Sequence, residues 1–292
     1  MGAERSIARA AFAKINLDLR VLGVRPDGYH ELRTTFQSVA LVDALTFTST
    51  PGPFRIVCDD PACPTDERNL VWRAAKLVWG AARRRGSPRD VTVTIAKRIP
   101  MQAGLGGGSS DAAAAIAALS SLWRVRLGRR RMYRLAQSLG ADVPYFLEGG
   151  TMLGLARGDR LSRLPDRRRA WVVIVVPRFG VSTPQAFAWW DEQARAGQAG
   201  RAGRAGQALI ANDLQIVVAR RHPIVRALVD ALRRQGAFQA SLSGSGSAVF
   251  GLFRTRAAAL RAARALRRAG PRRLVVVTRT LGRRECRELA AK

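Results

Sequence analysis

The run Pro100, Met101, Gln102, Ala103, Gly104, Leu105, Gly106, Gly107, Gly108, Ser109 and Ser110 gathers four glycines and two hydroxyls into one turn. Glycine loses more freedom on folding than any other residue, so four together make sense where backbone passes close to a ligand or takes positive φ. Ahead of the turn, Val91-Thr-Val-Thr-Ile95 alternates β-branched residues as a strand does. Behind it, Asp111-Ala-Ala-Ala-Ala-Ile-Ala-Ala-Leu119 has the composition of a helix. Strand, glycine turn and helix start aim free N–H groups and the positive end of a helix dipole at an anion. The chemistry on offer is therefore the cradling of a phosphate. No Gly-Lys-Ser/Thr ends the turn and no acidic residue closes a following strand, so neither a P-loop nor a dinucleotide fold is indicated.

Three further places carry reactive side chains. Lys14 stands in an otherwise apolar strand start, Phe12-Ala-Lys-Ile-Asn-Leu17, in a chain with only four lysines. It reads either as a buried functional cation or as an edge lysine in solvent. Asp142, between Gly140 and Pro144, reads either as a helix N-cap or as a free carboxylate, and the local residues do not choose. Asp27-Gly28 is a hairpin signal that would present Tyr29 and His30 on the flanking strand. Such a pair could stack on a pyrimidine and read its edge, or be a core tyrosine and a surface histidine.

These segments come in a recognisable order: Ala11-Phe-Ala-Lys-Ile-Asn-Leu-Asp18, Gly23-Val-Arg-Pro-Asp-Gly-Tyr-His-Glu-Leu32, the glycine turn, Leu139-Gly-Ala-Asp-Val-Pro-Tyr-Phe146 and Ser241-Leu-Ser-Gly-Ser-Gly-Ser-Ala-Val-Phe250. From about residue 9 to 253 the chain resembles the GHMP small-molecule kinases. Within them it resembles the branch that acts on a cytidine-diphosphate-linked methylerythritol. The resemblance implies ATP as phosphoryl donor, with the glycine loop as its binding site and Mg2+ bridging the phosphates. Ser109 or Ser110 would ligate the metal, with Ser110 taken as the site. It implies Asp142 as the base toward a tertiary 2-hydroxyl and Lys14 as its partner. Tyr29, His30 and Phe187 (in Gly180-Val-Ser-Thr-Pro-Gln-Ala-Phe187) would hold the cytosine, Asn16 would contact the erythritol part, and Asn69 would border the adenine. The product would feed non-mevalonate isoprenoid synthesis. Where the family carries glycine, this chain has Gln102. A β-branched residue at Gly107 is expected to abolish nucleotide binding while sparing the fold. The rival readings are a homoserine, mevalonate or galactose kinase, and a basic nucleic-acid-binding protein on an S5-like domain.

The elements that must hold these residues follow from length and pattern. A chain of 292 residues suits two domains. Strands are expected at Ile15–Leu22, Ala44–Thr48, Phe54–Cys58, Val91–Ile95, Trp171–Val176, Ala248–Phe253 and Leu274–Thr278. Helices are expected at Asn69–Trp79, Arg130–Leu139, Pro223–Gln235 and Ala257–Arg268, and an Ala/Gly/Arg-rich loop at Ala194–Gln207. The mixture is α+β. By resemblance it is the two-domain GHMP kinase architecture, a ribosomal protein S5 domain 2-like domain over 1–160 and a ferredoxin-like domain over 161–292. The net charge of +29 comes from arginines scattered along predicted helices, which reads as solvated faces that draw in anionic substrates rather than a specific nucleic-acid site. No stretch of about 18 apolar residues is present for a membrane span, and the start lacks a signal-peptide pattern. Three cysteines without metal or disulfide spacing fit a reducing cytoplasm. Oligomeric state is left open.

Overall fold

Two long strands, β1 (Ser6–Val24) and β2 (His30–Thr48), form an antiparallel hairpin that organises the first half of the chain. Asp27-Gly28 makes the turn, with Gly28 at φ 80 and the Arg25 N–H donating to the Tyr29 carbonyl at 2.7 Å. This computed structural model describes residues 5–196, 211–270 and 273–291. A mixed sheet grows around the hairpin in the order β3 (Arg55–Cys58), β4 (Thr92–Ala96), β2, β5 (Thr151–Ala156), β6 (Arg160–Arg163), with β1 paired to β2. Helices α1 (Leu70–Ala81), α2 (Gly107–Leu122), α3 (Arg129–Leu139) and the single turn α4 (Val143–Phe146) pack against it. Phe47, Val93, Ile95, Ile116 and Leu119 sit in the core between them.

A second sheet is antiparallel, in the order β10 (Leu274–Arg279), β7 (Trp171–Val176), β9 (Val249–Phe253), β8 (Gln239–Leu242). Numbered within that half, the order is 4-1-3-2, the split βαβ arrangement of a ferredoxin-like fold. Helices α5 (Thr183–Arg195), α6 (Leu214–Arg221), α7 (Ile224–Arg234) and α8 (Arg256–Arg268) belong to this half. Strand β7 is apolar throughout because both its faces are covered. Val173 and Val175 join a core with Leu228 and Ala262, while Val172, Ile174 and Val176 pack with Ala13, Ile15 and Leu17 of β1. That second contact joins the halves. The last helix, α9 (Arg283–Ala290), returns to the first core through Cys286, and Leu281 just ahead of it joins the same core.

The expected α+β architecture holds, and the first sheet ends at Arg163. The loop expected at Ala194–Gln207 lies outside the described residues from 197 onward; Ala194 and Arg195 close α5. Strand β2 runs far beyond the Ala44–Thr48 expected for it.

Candidate active site

Burial on both faces would make β1 purely apolar from Ala11 to Leu17. It is so except at Lys14 and Asn16, two residues apart and therefore on one face. Lys14 is 3% exposed. Its Nζ donates to Asn16 Oδ1 at 2.7 Å and lies 3.3 Å from Asp142 Oδ2 and 5.5 Å from the Phe36 ring centre. Asn16 Nδ2 in turn donates to Thr34 Oγ1 at 2.8 Å, which donates to the Asp18 carbonyl at 2.6 Å. The ammonium is thus aimed by a chain of hydrogen bonds across the hairpin. Asp142 precedes α4, yet its side chain caps no helix N–H. Among the described residues its one ion pair is with Lys14. A carboxylate left free of capping duty, partly exposed and beside a fixed ammonium stands where it can accept a proton.

The glycine turn connects β4 to α2. Gly104 and Gly106 both lie at φ 74, in the left-handed region that only glycine takes without strain. A Cβ on Gly104 would stand 2.0 Å from the Ser243 carbonyl oxygen, so the turn touches backbone of the Ser243–Gly246 turn directly. Two hydrogen bonds fasten that contact, Ser243 Oγ to the Gly104 carbonyl at 2.9 Å and the Ala248 N–H to the Ala103 carbonyl at 3.1 Å. Gly244 closes over the reactive pair, where a Cβ would meet Asn16 Oδ1 and Lys14 Nζ at 3.3 Å. Asn212, fully buried, holds that turn by donating to the Leu242 and Gly244 carbonyls.

Below the turn lies a network that sequence reasoning missed. Lys97 Nζ bonds Asp43 at 2.5 Å and Asp111 at 2.8 Å, all three buried. Asp43 also accepts the N–H groups of Arg98 and Ile99, at 2.5 and 2.8 Å, and so fixes the backbone entering the glycine turn. Burial alone would lower the Lys97 ammonium, but Asp111 and Asp43 outweigh it and hold it above its ordinary value. One ammonium cannot neutralise two buried carboxylates. Burial, abetted by Asp43 and opposed by Lys97, pushes the Asp111 carboxyl up to about 7. The available signal was that Lys97 is a lysine at all, in so arginine-rich a chain.

The Lys14–Asp142 pair and the glycine turn open onto one cavity of about 880 Å³ between the halves. Its lining includes Lys14, Asn16, Asp142 and the turn from Pro100 to Ser109. Ser110, the expected metal ligand, is 2% exposed and off the lining, whereas Ser109 is on it. Successive residues of a helix are about 100° apart, so adjacent serines do not share a face. Among the described residues no three His, Cys, Asp or Glu side chains cluster to cage a metal. A magnesium ion carried on phosphates needs only one or two protein oxygens. Ser109 fits that lesser demand. Asn69, expected beside the adenine, is the N-cap of α1, its side chain spent on the Val71 N–H and the Pro64 carbonyl. Its neighbour Leu70 reaches the cavity instead. Gln102 sits at φ 51, which explains why glycine suits this position.

At the far end of the cavity, Tyr29, His30 and Phe187 converge. They do not form an open slot. The rings of His30 and Phe187 stack on each other, centres 4.5 Å apart and 20° from parallel. Tyr29 stands 57% exposed at the rim, with the Arg157 guanidinium 5.0 Å from its ring centre.

Comparison with known proteins identifies the family. Residues 69–150 match the GHMP kinases N terminal domain and residues 192–272 the GHMP kinases C terminal domain. A 4-diphosphocytidyl-2-C-methyl-D-erythritol kinase of Moorella thermoacetica is 42% identical over 284 residues, covering 93% of this chain and 98% of its own. The enzyme of the same name from Solibacter usitatus is 41% identical, covering 96% of this chain and 91% of its own. A crystal structure of 4-(cytidine 5'-diphospho)-2C-methyl-D-erythritol kinase superposes with a TM-score of 0.74 at 34% identity, covering 94% of this chain and all of that one.

Proposed function

Because the chain belongs to the GHMP kinases, in the family of 4-diphosphocytidyl-2-C-methyl-D-erythritol kinases, we propose that its cavity transfers the γ-phosphoryl group of ATP to the tertiary 2-hydroxyl of that cytidyl substrate. The product serves the non-mevalonate route to isoprenoids. The observation that carries the reading is the Lys14–Asp142 pair opening onto the same cavity as the glycine turn.

In this reading the N–H groups at the start of α2 hold the phosphates of ATP, and the glycines let the phosphates approach the backbone. The substrate hydroxyl lies against Asp142. Its proton passes to the Asp142 carboxylate as the oxygen attacks the γ-phosphorus, and ADP leaves. Lys14, held by Asn16, stands 3.3 Å from the Asp142 carboxylate before the transfer and faces the negative charge spread over the phosphoryl oxygens during it. When bound with ATP, Mg2+ would neutralise phosphate charge; Ser109, on the cavity lining, is the side chain that would hold it. Asn16 borders the erythritol moiety. Tyr29, Phe187 and His30 recognise the cytosine once it enters beside the stacked pair. Three free cysteines among the described residues, and no described helix long and apolar enough to cross a membrane, support a reducing cytoplasm as its place of work.

The test is ADP release measured in parallel on the cytidyl substrate, mevalonate, homoserine and galactose. Turnover confined to the cytidyl substrate is the expected result. Robust turnover of mevalonate or homoserine with none of the cytidyl compound would end the proposal.

A further inference from the structure

Helix α5 does more at the base end of the cavity than supply Phe187. Phe187 and Asp191 are four residues apart, so they stand one above the other on one face of the helix. Both line the cavity, and both engage the same imidazole. Phe187 covers a face of His30, and Asp191 Oδ1 lies 2.7 Å from its Nε2. The helix itself is set by Ser182, whose hydroxyl caps the Gln185 N–H, and by Pro184 in its first turn. His30 is fixed at the start of β2, directly after the Asp27-Gly28 turn, and its side chain is 8% exposed. Face and edge are thus held by two side chains of one rigid element.

An ionised carboxylate can only accept. Nε2 must therefore carry the proton, and a neutral ring so held presents Nδ1 as a bare acceptor. No described protein group bonds Nδ1. The edge of cytosine bears an exocyclic amine, a donor. Uracil bears a carbonyl oxygen at the same place, an acceptor. A lone pair on Nδ1 accepts from the first and repels the second. We propose that Asp191 is a positioning residue for base selection: it holds His30 in the tautomer that accepts from an amino-pyrimidine and refuses an oxo-pyrimidine. The proposal rests on reading this cavity as the cytidyl-substrate site, and it adds to that reading a residue outside the motifs Asp27-Gly-Tyr-His30 and Gly180–Phe187.

The experiment uses the full-length chain and the variants Asp191→Asn, Asp191→Glu and Asp191→Ala. Asn can turn its amide nitrogen toward Nε2 and so stabilise the opposite tautomer. With 15N-labelled histidine, long-range proton–nitrogen spectra report which ring nitrogen is protonated; the chain has two histidines, and His222→Gln assigns them. The wild type is expected to show His30 protonated at Nε2, and Asp191→Asn to move it toward Nδ1. Kinetics are compared on the cytidine-linked substrate and its uridine-linked analogue. Asp191→Asn should raise KM for the cytidine compound about tenfold, the scale of one misdirected hydrogen bond, with kcat within about threefold, and should shrink the preference over the uridine analogue by a similar factor. Asp191→Glu should restore both, and Asp191→Ala should fall between. Unchanged preference with an unchanged Nε2-protonated signal in Asp191→Asn overturns the proposal. So does a loss of kcat and KM together with melting temperature, since that would make Asp191 a support of the fold. If the wild type turned over no cytidyl substrate at all, the function would be wrong, and the nitrogen spectra would still decide the tautomer.

Discussion

Substituting Gly108 by alanine separates the phosphate cradle from the fold. Gly108 is the second residue of α2, exposed and on the cavity lining, and a Cβ there meets nothing nearer than Leu70 Cδ1 at 4.0 Å. Its φ is not positive, so alanine fits without strain. Alanine in place of helical glycine should raise stability by about 0.5–1 kcal/mol, through the smaller freedom of the unfolded chain. For a protein of this size that is roughly 2 °C in Tm. The same methyl projects where a phosphate would meet the helix N-terminus. One displaced charge-assisted hydrogen bond is worth about 1.5–3 kcal/mol, or roughly 10- to 100-fold in affinity. Calorimetry with a non-hydrolysable ATP analogue, alongside thermal melts, reads both quantities. Gly106→Ala is the contrast: left-handed backbone costs about 1–2 kcal/mol, and its Cβ would press on Phe146 at 2.6 Å. It should lose nucleotide and stability together. Wild-type affinity in Gly108→Ala would refute the cradle, and a fall in its Tm would refute the loop geometry.

Other outcomes are equally definite. Asp142→Asn should bind both substrates within a few-fold while turnover falls about 10²-fold or more, the scale of a general base; its Tm should fall only by what the lost ion pair with buried Lys14 costs, because Asp142 caps no helix. Tyr29→Ala should raise KM for the cytidyl substrate much more than it lowers kcat, since the ring stands at the rim, far from Lys14, which steady-state kinetics will show. Asp111→Asn bears on pH. The folded carboxyl, near 7, lies above its unfolded value of 3.8, so the folded state holds the extra proton and stability is lost as pH rises through that window. Melts from pH 4 to 8 should show the wild type falling relative to Asp111→Asn across that range, by a few degrees; parallel curves would contradict the shift. Gln102→Gly should gain about 1 kcal/mol in chemical denaturation by relieving left-handed backbone, less whatever the Gly180 contact supplied.

Much of the site was legible because its chemistry is written in unusual local composition. Four glycines between a β-branched strand and an alanine-rich helix have few other uses, and a lysine in an apolar strand announces itself. The turn at Asp27-Gly28 follows from its residues alone. Asp142 was ambiguous for a physical reason: an N-cap and a catalytic carboxylate are the same residue type in the same setting, and the missing cap bond and the nearby Lys14 speak against the first without proving the second. Strand β2 was underestimated because Thr34, Thr35, Gln37 and Ser38 are buried polar residues that break the alternation expected of a half-buried strand. Bulges at Phe12/Ala13, Asn16/Asp18 and Val21/Gly23 shift its register against β1. Gly107, expected as a clean probe of the nucleotide site, is buried with a Cβ position 2.9 Å from Ile99, so valine there disturbs packing as well as binding. The Asp43–Lys97–Asp111 network and the Asp191–His30 bond join residues 54, 14 and 161 positions apart, beyond any local pattern.

The central claim is that this cavity places a phosphoryl group of ATP on the substrate's 2-hydroxyl under the control of Asp142. Phosphorus NMR of the reaction mixture tests it directly, because product ester, ADP and free phosphate resolve from one another. The account predicts a new phosphomonoester signal growing in step with ADP for the wild type, and growing about 10²-fold more slowly for Asp142→Asn. ADP accompanied only by inorganic phosphate, or an ester formed equally fast by Asp142→Asn, would contradict it.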